Sequence, residues 1–195
     1  MKKLKCRLCD SQNVFLFCDL GIQPLSNAYL TTKTGEEHCY PLKVYLCSDC
    51  LLVQALDYVN SEEIFNNEYA YFSSFSKSWL DHCSNYVDHV TKLLSLNLSH
   101  FIIEIASNDG YLLQYFKKKN LNILGIEPSL NVATFAKEKG IPTESMFLTE
   151  KNAKTIEQNY SKADLLIANN VLAHVPDIND FVSGLKTLLN KNGTI

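Results

Sequence analysis

The sequence predicts an α/β chain: a small N-terminal metal-binding domain followed by an incomplete, doubly wound parallel sheet. Three observations predict it. Two Cys-x-x-Cys pairs, Cys6 with Cys9 and Cys47 with Cys50, sit near the N-terminus. The stretch FIIEIASNDG, residues 101–110, is an apolar run that breaks into a small polar turn and opens into an amphipathic segment with Leu112, Leu113 and Phe116 on one face. The same pattern of apolar run, turn and amphipathic segment then recurs to the end of the chain. Strand, tight turn and helix in succession build parallel sheets that bind ligands at the carboxyl ends of their strands.

Composition bounds the rest. At 195 residues, with 46% hydrophobic and 20% charged side chains, the chain has material for a packed core and no signature of disorder. A formal net charge of −3 argues against nucleic acid as the main partner, since phosphate binding calls for a basic excess. No apolar run approaches the ~20 residues of a membrane span. The basic start, MKKLKCRLCD, lacks the apolar segment of a secretory signal, so a reducing, cytoplasmic setting is expected. In such a setting seven cysteines favour metal over a disulfide framework.

Taken in order, each Cys-x-x-Cys pair follows a strand-like piece, KKLK and LKVYL, and the two pairs together offer four thiolates to a closed structural zinc site: Cys6, Cys9, Cys47 and Cys50. Cys18, Cys39 and Cys83 are expected to be small buried hydrophobes. Between the pairs, residues 20–27 read as a loop with glycine and proline punctuation. YAYFSSFS, residues 69–76, reads either as an aromatic patch packing one domain on the other or as a hydroxyl-rich wall facing a polar ligand. Ser78 is the expected cap of a helix whose inner face carries Trp79, Cys83, Tyr86 or Val87, Val90 and Leu94. These signals set the expected boundaries: a metal-binding domain at 1–60, the aromatic segment and linking helix at 61–98, and the sheet domain at 99–195.

Within the sheet domain, the turn after residue 106 is expected to leave backbone N–H groups free at a helix start, where they would favour accepting ligand groups. A second strand, residues 123–126, stops at Glu127-Pro128-Ser129. An acidic residue there, ~20 residues after the first turn, can accept hydrogen bonds from two ribose hydroxyls. A helix at 131–139, a short strand at 144–148 and a helix at 150–159 follow. The fourth strand, residues 164–168, is a continuous apolar run ending in Asn169, Asn170 and His174. Asp177 or Asp180 is expected to cap a last helix, and Thr194 to open a fifth strand.

EIASNDG, GIEPS and DLLIANNVLAHVPD are similar to motifs I, II and IV of class I S-adenosylmethionine-dependent methyltransferases, with Ala106 and Asn108 where glycines are usual. Together with the two Cys-x-x-Cys pairs and YAYFSSFS, they resemble the zinc-containing C-methyltransferases of nucleotide-linked keto-deoxysugars. The resemblance implies a Rossmann-like domain and two cofactors, S-adenosylmethionine and a structural Zn2+. It places the cofactor against Glu104, Ala106, Ser107, Asn108, Asp109, Gly110, Glu127, Pro128 and Ser129, with Met146 and Phe147 beside adenine and Asn169 and Asn170 on the methyl side. Members of that family are longer, so the resemblance covers the N-terminal half of such an enzyme and puts its proposed base beyond Ile195.

The reaction so implied removes a proton next to a ketone and then transfers the methyl group in line. Within this chain His174 is the candidate acid, base or donor, against the alternative of a histidine that only bonds backbone. Tyr71 is the second candidate, orienting the sugar or its enolate oxygen. The partners implied are the nucleotide-linked sugar and either a separate C-terminal half or none, with no nucleic acid and no membrane. An O- or N-methyltransferase on a related small molecule, or a cofactor-binding remnant without activity, remains open at this point.

Overall fold

The computed structural model describes residues 4–30, 32, 35 and 37–195. The chain falls into two units, Met1–Ile64 with Val175–Asn179, and Phe65–His174 with Asp180–Ile195.

The first unit is an antiparallel sheet of β1 (Val14–Pro24), β2 (Cys39–Cys47) and β3 (Val53–Ala55), in that order across the sheet. The LKVYL run lies in β2 as expected. Of the expected strand at 2–5, Lys2 and Lys3 lie outside the described residues, and Leu4 and Lys5 are not in a strand. The expected loop at 20–27 is instead strand as far as Pro24. The β1–β2 register shifts between Asp19 and Ile22, where Gly21 takes φ 77°. Glycine here absorbs a bulge and proline ends a strand, so both act without breaking the pairing. Among the described residues of this unit, only Cys6, Cys47 and Gln54 are buried, while Phe15, Phe17 and Ile22 are exposed.

The second unit is a five-stranded parallel sheet. Its strands are β4 (Phe101–Ile105), β5 (Asn122–Ile126), β6 (Thr143–Glu144), β7 (Ala163–Ile167) and β8 (Leu189–Thr194). Their spatial order is β6-β5-β4-β7-β8. The chain moves outward from β4 on one side, then returns to the other side at β7, which places the order reversal between β4 and β7. Crevices at such reversals lie outside the carboxyl ends of the strands. β4, β5 and β7 are buried along almost their whole length, as their unbroken apolar runs require.

Between the strands lie α3 (Leu113–Lys118), α4 (Leu130–Glu138), α5 (Glu150–Asn159) and α6 (Ile178–Leu188). α1 (Ser61–Ile64) and α2 (Lys77–Leu93) precede the sheet. α2 buries Cys83, Val87 and Val90 in one core with Ile102, Leu112, Leu113 and Phe116. Its cap is Ser76, whose hydroxyl oxygen accepts from the Trp79 N–H at 3.3 Å, and not Ser78, which falls inside the first turn. Of the other two unpaired cysteines, Cys18 is half-buried and Cys39 exposed, so neither is the buried hydrophobe expected. Of the two expected caps of the last helix, Asp177 directly precedes α6 and Asp180 lies in its first turn. The Asp180 Oδ1 also accepts the Glu150 N–H at 3.1 Å, so it serves the start of α5, beside the Thr149 hydroxyl that accepts from Asn152 N–H at 3.0 Å. β6 is shorter than the expected strand, and β8 follows α6 directly from Leu189.

Backbone conformation makes the turn after β4. Ala106, Asn108 and Gly110 have φ of 54°, 49° and 75°. Glycine suits that region and asparagine tolerates it, whereas alanine there carries a clash between Cβ and the carbonyl oxygen. Ala106→Gly is therefore expected to raise stability by about 0.5–1 kcal/mol and the unfolding midpoint by roughly 2–4 °C. Thermal unfolding followed by Trp79 fluorescence measures it; an unchanged or lowered midpoint would show the alanine to be unstrained. Across from the turn, Gly125 has no room for a side chain. A Cβ there would lie 2.4 Å from Ser107 Oγ and 3.2 Å from Thr143 Oγ1. The bare backbone of β5 is what lets the turn settle on it.

Candidate functional site

Two constellations carry chemistry, one in each unit. In the first, the Sγ atoms of Cys6, Cys9, Cys47 and Cys50 lie within 4.8 Å of one another, with Cys6–Cys50 at 3.5 Å and Cys9–Cys47 at 3.7 Å. Four thiolates about 2.3 Å from one tetrahedral zinc stand about 3.8 Å apart, whereas a disulfide would require about 2.05 Å. The two knuckles adopt the same turn. Asp10 and Leu51, each just past the second cysteine, have φ of 59° and 64° and donate N–H to the carbonyls of Cys6 and Cys47, both at 3.0 Å. The Cys6 and Cys47 N–H groups in turn donate to Ser11 O at 2.9 Å and Leu52 O at 3.0 Å. The backbone N–H of Cys50 draws the Cys47 thiol down to about 7 against the opposing effect of burial, with help from the Asp49 N–H. That favours a thiolate at Cys47, as a metal needs, while Cys9, at about 12, and Cys50 are raised against the pull of the Ser11 and Leu52 N–H groups by burial and the neighbouring thiols.

Side chains brace the knuckles. Buried Gln54 on β3 accepts the Arg7 N–H at 3.0 Å and donates to Lys5 O at 3.1 Å. The Asn13 amide donates to both oxygens of Asp49 at 3.1 Å, tying the start of β1 to the second knuckle. The donor set and its spacing fit zinc, and a site closed by four sulfurs has no open position for water, so the metal's role is structural. The His38-Cys39 pair is not part of the cluster.

In the second unit, the turn after β4 brings three carboxyl groups together. Glu104, the last residue but one of β4, lies opposite Gly125 of β5 and Ile167 of β7. It is buried, and neither of its oxygens has a partner at full hydrogen-bond geometry, although the Tyr111 hydroxyl lies close enough to act on it. Burial pushes its carboxyl well above the usual range, the Tyr111 hydroxyl offsets this in part, and the charges of Glu127 and Asp109 add to it. Asp109 is fully buried. Its Oδ2 accepts from the Ser74 hydroxyl and faces Lys139 Nζ at 3.4 Å, while its Oδ1 is without a partner. Glu127 is buried after β5, and its two oxygens accept N–H groups: Asn108 to Oε2 at 3.0 Å and Ser129 to Oε1 at 2.9 Å. Burial raises its pKa, and these two N–H groups work against that.

The expected free N–H groups at a helix start are not present in that form. α3 begins only at Leu113, and the Asn108 N–H is already held by Glu127. What the turn offers are buried polar side-chain atoms. Glu104, Ser107, Asp109, Ser129, Asn131 and Ser145 all carry a buried oxygen with no hydrogen-bond partner. All six stand at or just beyond the carboxyl ends of β4, β5 and β6. Buried polar atoms are seldom left unpaired, and an unpaired group costs on the order of 1–3 kcal/mol. Their convergence fits a polar ligand with several donors, such as an amino acid joined to a ribonucleoside.

The remaining expected residues fall as follows. Ala106, Ser107, Asn108, Asp109 and Gly110 form the turn, and Pro128 and Ser129 continue from Glu127 into α4. Met146 and Phe147 are half-buried beyond β6, with the Phe147 ring centroid 6.3 Å from that of Phe65. Asn169, Asn170 and His174 follow β7 and are exposed, and the His174 N–H donates to Val171 O at 2.9 Å. Tyr71 is exposed, and its carbonyl accepts from the Asn108 amide at 3.1 Å.

Several contacts at the turn went unread in the sequence. Lys139 sits at the end of α4, where a lysine ordinarily complements the helix dipole, yet its Nζ lies 3.2 Å from Ser74 Oγ and 4.3 Å from the Phe135 ring centroid. The Asn131 amide donates to Tyr69 O at 2.9 Å. Burial raises the Tyr69 hydroxyl and the Glu127 charge adds to it. The signal for these was the cluster of tyrosines and serines at 69–76, which packs within the second unit.

Comparison with known proteins agrees with this picture. Residues 103–195 match a family model described as "Methyltransferase domain", and residues 6–65 match one described as "Putative zinc binding domain". The C-methyltransferase NovU of Streptomyces niveus is 27% identical over 191 residues, covering 97% of this chain and 45% of that protein. The chain thus spans less than half the length of this curated relative. Among solved structures, DesVI of Streptomyces venezuelae superposes with a TM-score of 0.47 at 14% identity, over 62% of this chain and 50% of that one. A SAM-dependent methyltransferase of Anabaena variabilis superposes with a TM-score of 0.49 at 18% identity, over 57% and 49%. Residues 103–195 thus match a methyltransferase domain and residues 6–65 a zinc-binding one, and the expected cofactors, S-adenosylmethionine and zinc, agree with these two matches. Among the described residues no helix is long and apolar enough to cross a membrane.

Proposed function

We propose that these residues are the cofactor-binding part of an S-adenosylmethionine-dependent C-methyltransferase whose acceptor is a nucleotide-linked keto-deoxysugar. The observation that carries the cofactor reading is the convergence of unpaired buried oxygens at the carboxyl ends of β4, β5 and β6. The C-methyl and sugar readings are supported by the likeness to NovU and by the pairing of zinc knuckles with this turn.

In this reading Glu127 holds the two ribose hydroxyls. A carboxylate has about four acceptor sites, and the N–H groups of Asn108 and Ser129 use one on each oxygen. One site on each oxygen remains for a hydroxyl. Glu104 and Asp109 face the cationic methionine end with their unpaired oxygens. When bound, S-adenosylmethionine supplies a methyl group on a positively charged sulfur. Tyr69 and Tyr71 line the approach with hydroxyl groups. Asn169, Asn170 and His174, beyond β7, stand on the methyl side, where His174 can donate to or accept from the carbon acid's oxygen. Residues 1–60, 61–98 and 99–195 then serve as zinc-held domain, linking segment and cofactor domain.

Titration calorimetry with S-adenosylhomocysteine tests the reading. The expected result is one site per chain, weakened about 100-fold in Glu127→Ala, from loss of charged hydrogen bonds of roughly 1.5–3 kcal/mol each. No binding by the parent, or equal binding by the variant, would remove the cofactor assignment.

A further inference from the structure

Asn108 stands where a glycine would be the ordinary choice, at φ 49°, and it is 6% exposed. Its backbone N–H and both ends of its side-chain amide have partners. The backbone N–H donates to Glu127 Oε2 at 3.0 Å, Oδ1 accepts the Ser73 N–H at 2.8 Å, and Nδ2 donates to Tyr71 O at 3.1 Å. A backbone donor on one side and a backbone acceptor on the other fix which end of the carboxamide is which. Ser73 and Tyr71 lie 35 and 37 residues earlier in the chain, so these bonds join separate segments.

Other contacts of the 69–76 segment lie on either side of this pair. The Asn131 amide holds Tyr69 O, the Ser74 hydroxyl donates to Asp109, and the Phe72 ring stands 5.4 Å from Phe135, edge to face. Asn108 is the member that touches both this segment and the Glu127 carboxylate. A glycine would keep the backbone path and the N–H to Glu127, and would lose both side-chain bonds.

We propose that Asn108 is a positioning residue: its carboxamide clasps the 69–76 segment onto the turn, fixing the Tyr69 and Tyr71 hydroxyl groups beside the cofactor site, while its N–H orients Glu127. This rests on the cofactor reading for its functional consequence and on the hydrogen bonds alone for the clasp.

The test uses Asn108→Gly and Asn108→Asp in the full chain, with two readouts. In Asn108→Gly, hydrogen exchange at the Ser73 amide is expected to accelerate at least tenfold while the β4 amides keep their protection, and S-adenosylhomocysteine affinity is expected to fall about tenfold at every pH. Asn108→Asp separates positioning from general loosening. A protonated aspartic acid can accept from Ser73 and donate to Tyr71, as the amide does. An ionised one has no donor for Tyr71 O and repels Glu127 and Asp109. Its affinity relative to the parent should therefore rise as pH falls from 8.5 to 5.5. Unchanged Ser73 exchange in Asn108→Gly, or an Asn108→Asp deficit that ignores pH, would overturn the proposal. If the parent binds no S-adenosylhomocysteine, the cofactor reading fails, and Ser73 exchange alone decides the clasp.

Discussion

Cys47→Ser is expected to abolish zinc binding and unfold the first unit while leaving the second folded. The reason lies in how little else holds that unit. Among its described residues only Cys6, Cys47 and Gln54 are buried, and two of those three belong to the metal cluster. A three-stranded antiparallel sheet without an apolar core does not fold alone, and small domains of this kind depend on a metal or on disulfides. Binding of a structural zinc supplies roughly 10–16 kcal/mol, most of which would be lost with one ligand. Metal analysis should give one zinc per parent chain and none for the variant. Circular dichroism should lose the β contribution of the first unit, while fluorescence of Trp79, in the second unit, should still report a cooperative transition. A variant that keeps its zinc, or whose first unit stays folded without it, would show that the cysteines are not the fold's anchor.

The second large effect concerns pH. The Glu104 carboxyl is raised well above its usual value, chiefly by burial. Between its unfolded pKa and this raised folded value, the folded chain holds a proton that the unfolded chain has released. Stability is therefore fully present below the unfolded value and is lost as pH rises through the folded one, with a slope approaching about 1.4 kcal/mol per pH unit. Glu127 shifts in the same direction. Asp19, Asp49, Asp88 and Glu150 are lowered by hydrogen bonds and act the other way, losing their contribution only as pH falls through the carboxylate range. Urea unfolding followed by Trp79 should show the second unit most stable in mild acid and weakening toward pH 8.5. Glu104→Gln, which has the same shape and cannot ionise, should match the parent only near pH 4, below the unfolded value, and exceed it increasingly toward pH 8.5. If parent and variant decline in parallel, the slope belongs to other groups.

What the sequence disclosed follows the range of the forces involved. The parallel strands were legible because burial on both faces demands an unbroken apolar run, and β4, β5 and β7 lie where those runs lie. α5 was legible to its end residues, because threonine before the first turn caps it as local rules require. The four thiolates were legible because metal geometry restricts their spacing. Features decided at a distance were not. Asp180, which with Asp177 reads as a candidate cap for α6, also holds the start of α5, 30 residues earlier. Residues 20–27 read as a loop because the bulge that accommodates Gly21 exists only once β2 is alongside. Lys139 and Asn131 follow the ordinary pattern of their helix, and nothing local marks their second use at the turn.

That distance dependence bears on when the turn after β4 acquires its shape. Ser107 N–H donates to Ile126 O at 3.2 Å, Asn108 N–H to Glu127, and the place where the turn rests is the bare backbone of Gly125. Glu127 N–H itself depends on Glu144 O, at 3.0 Å. None of these partners lies within the turn. Closing such long loops comes after local helix formation in a folding chain. The ligand-facing geometry thus rests on a template supplied by β5 and β6. A peptide covering residues 101–119 would carry the letters of the turn without the partners that shape it.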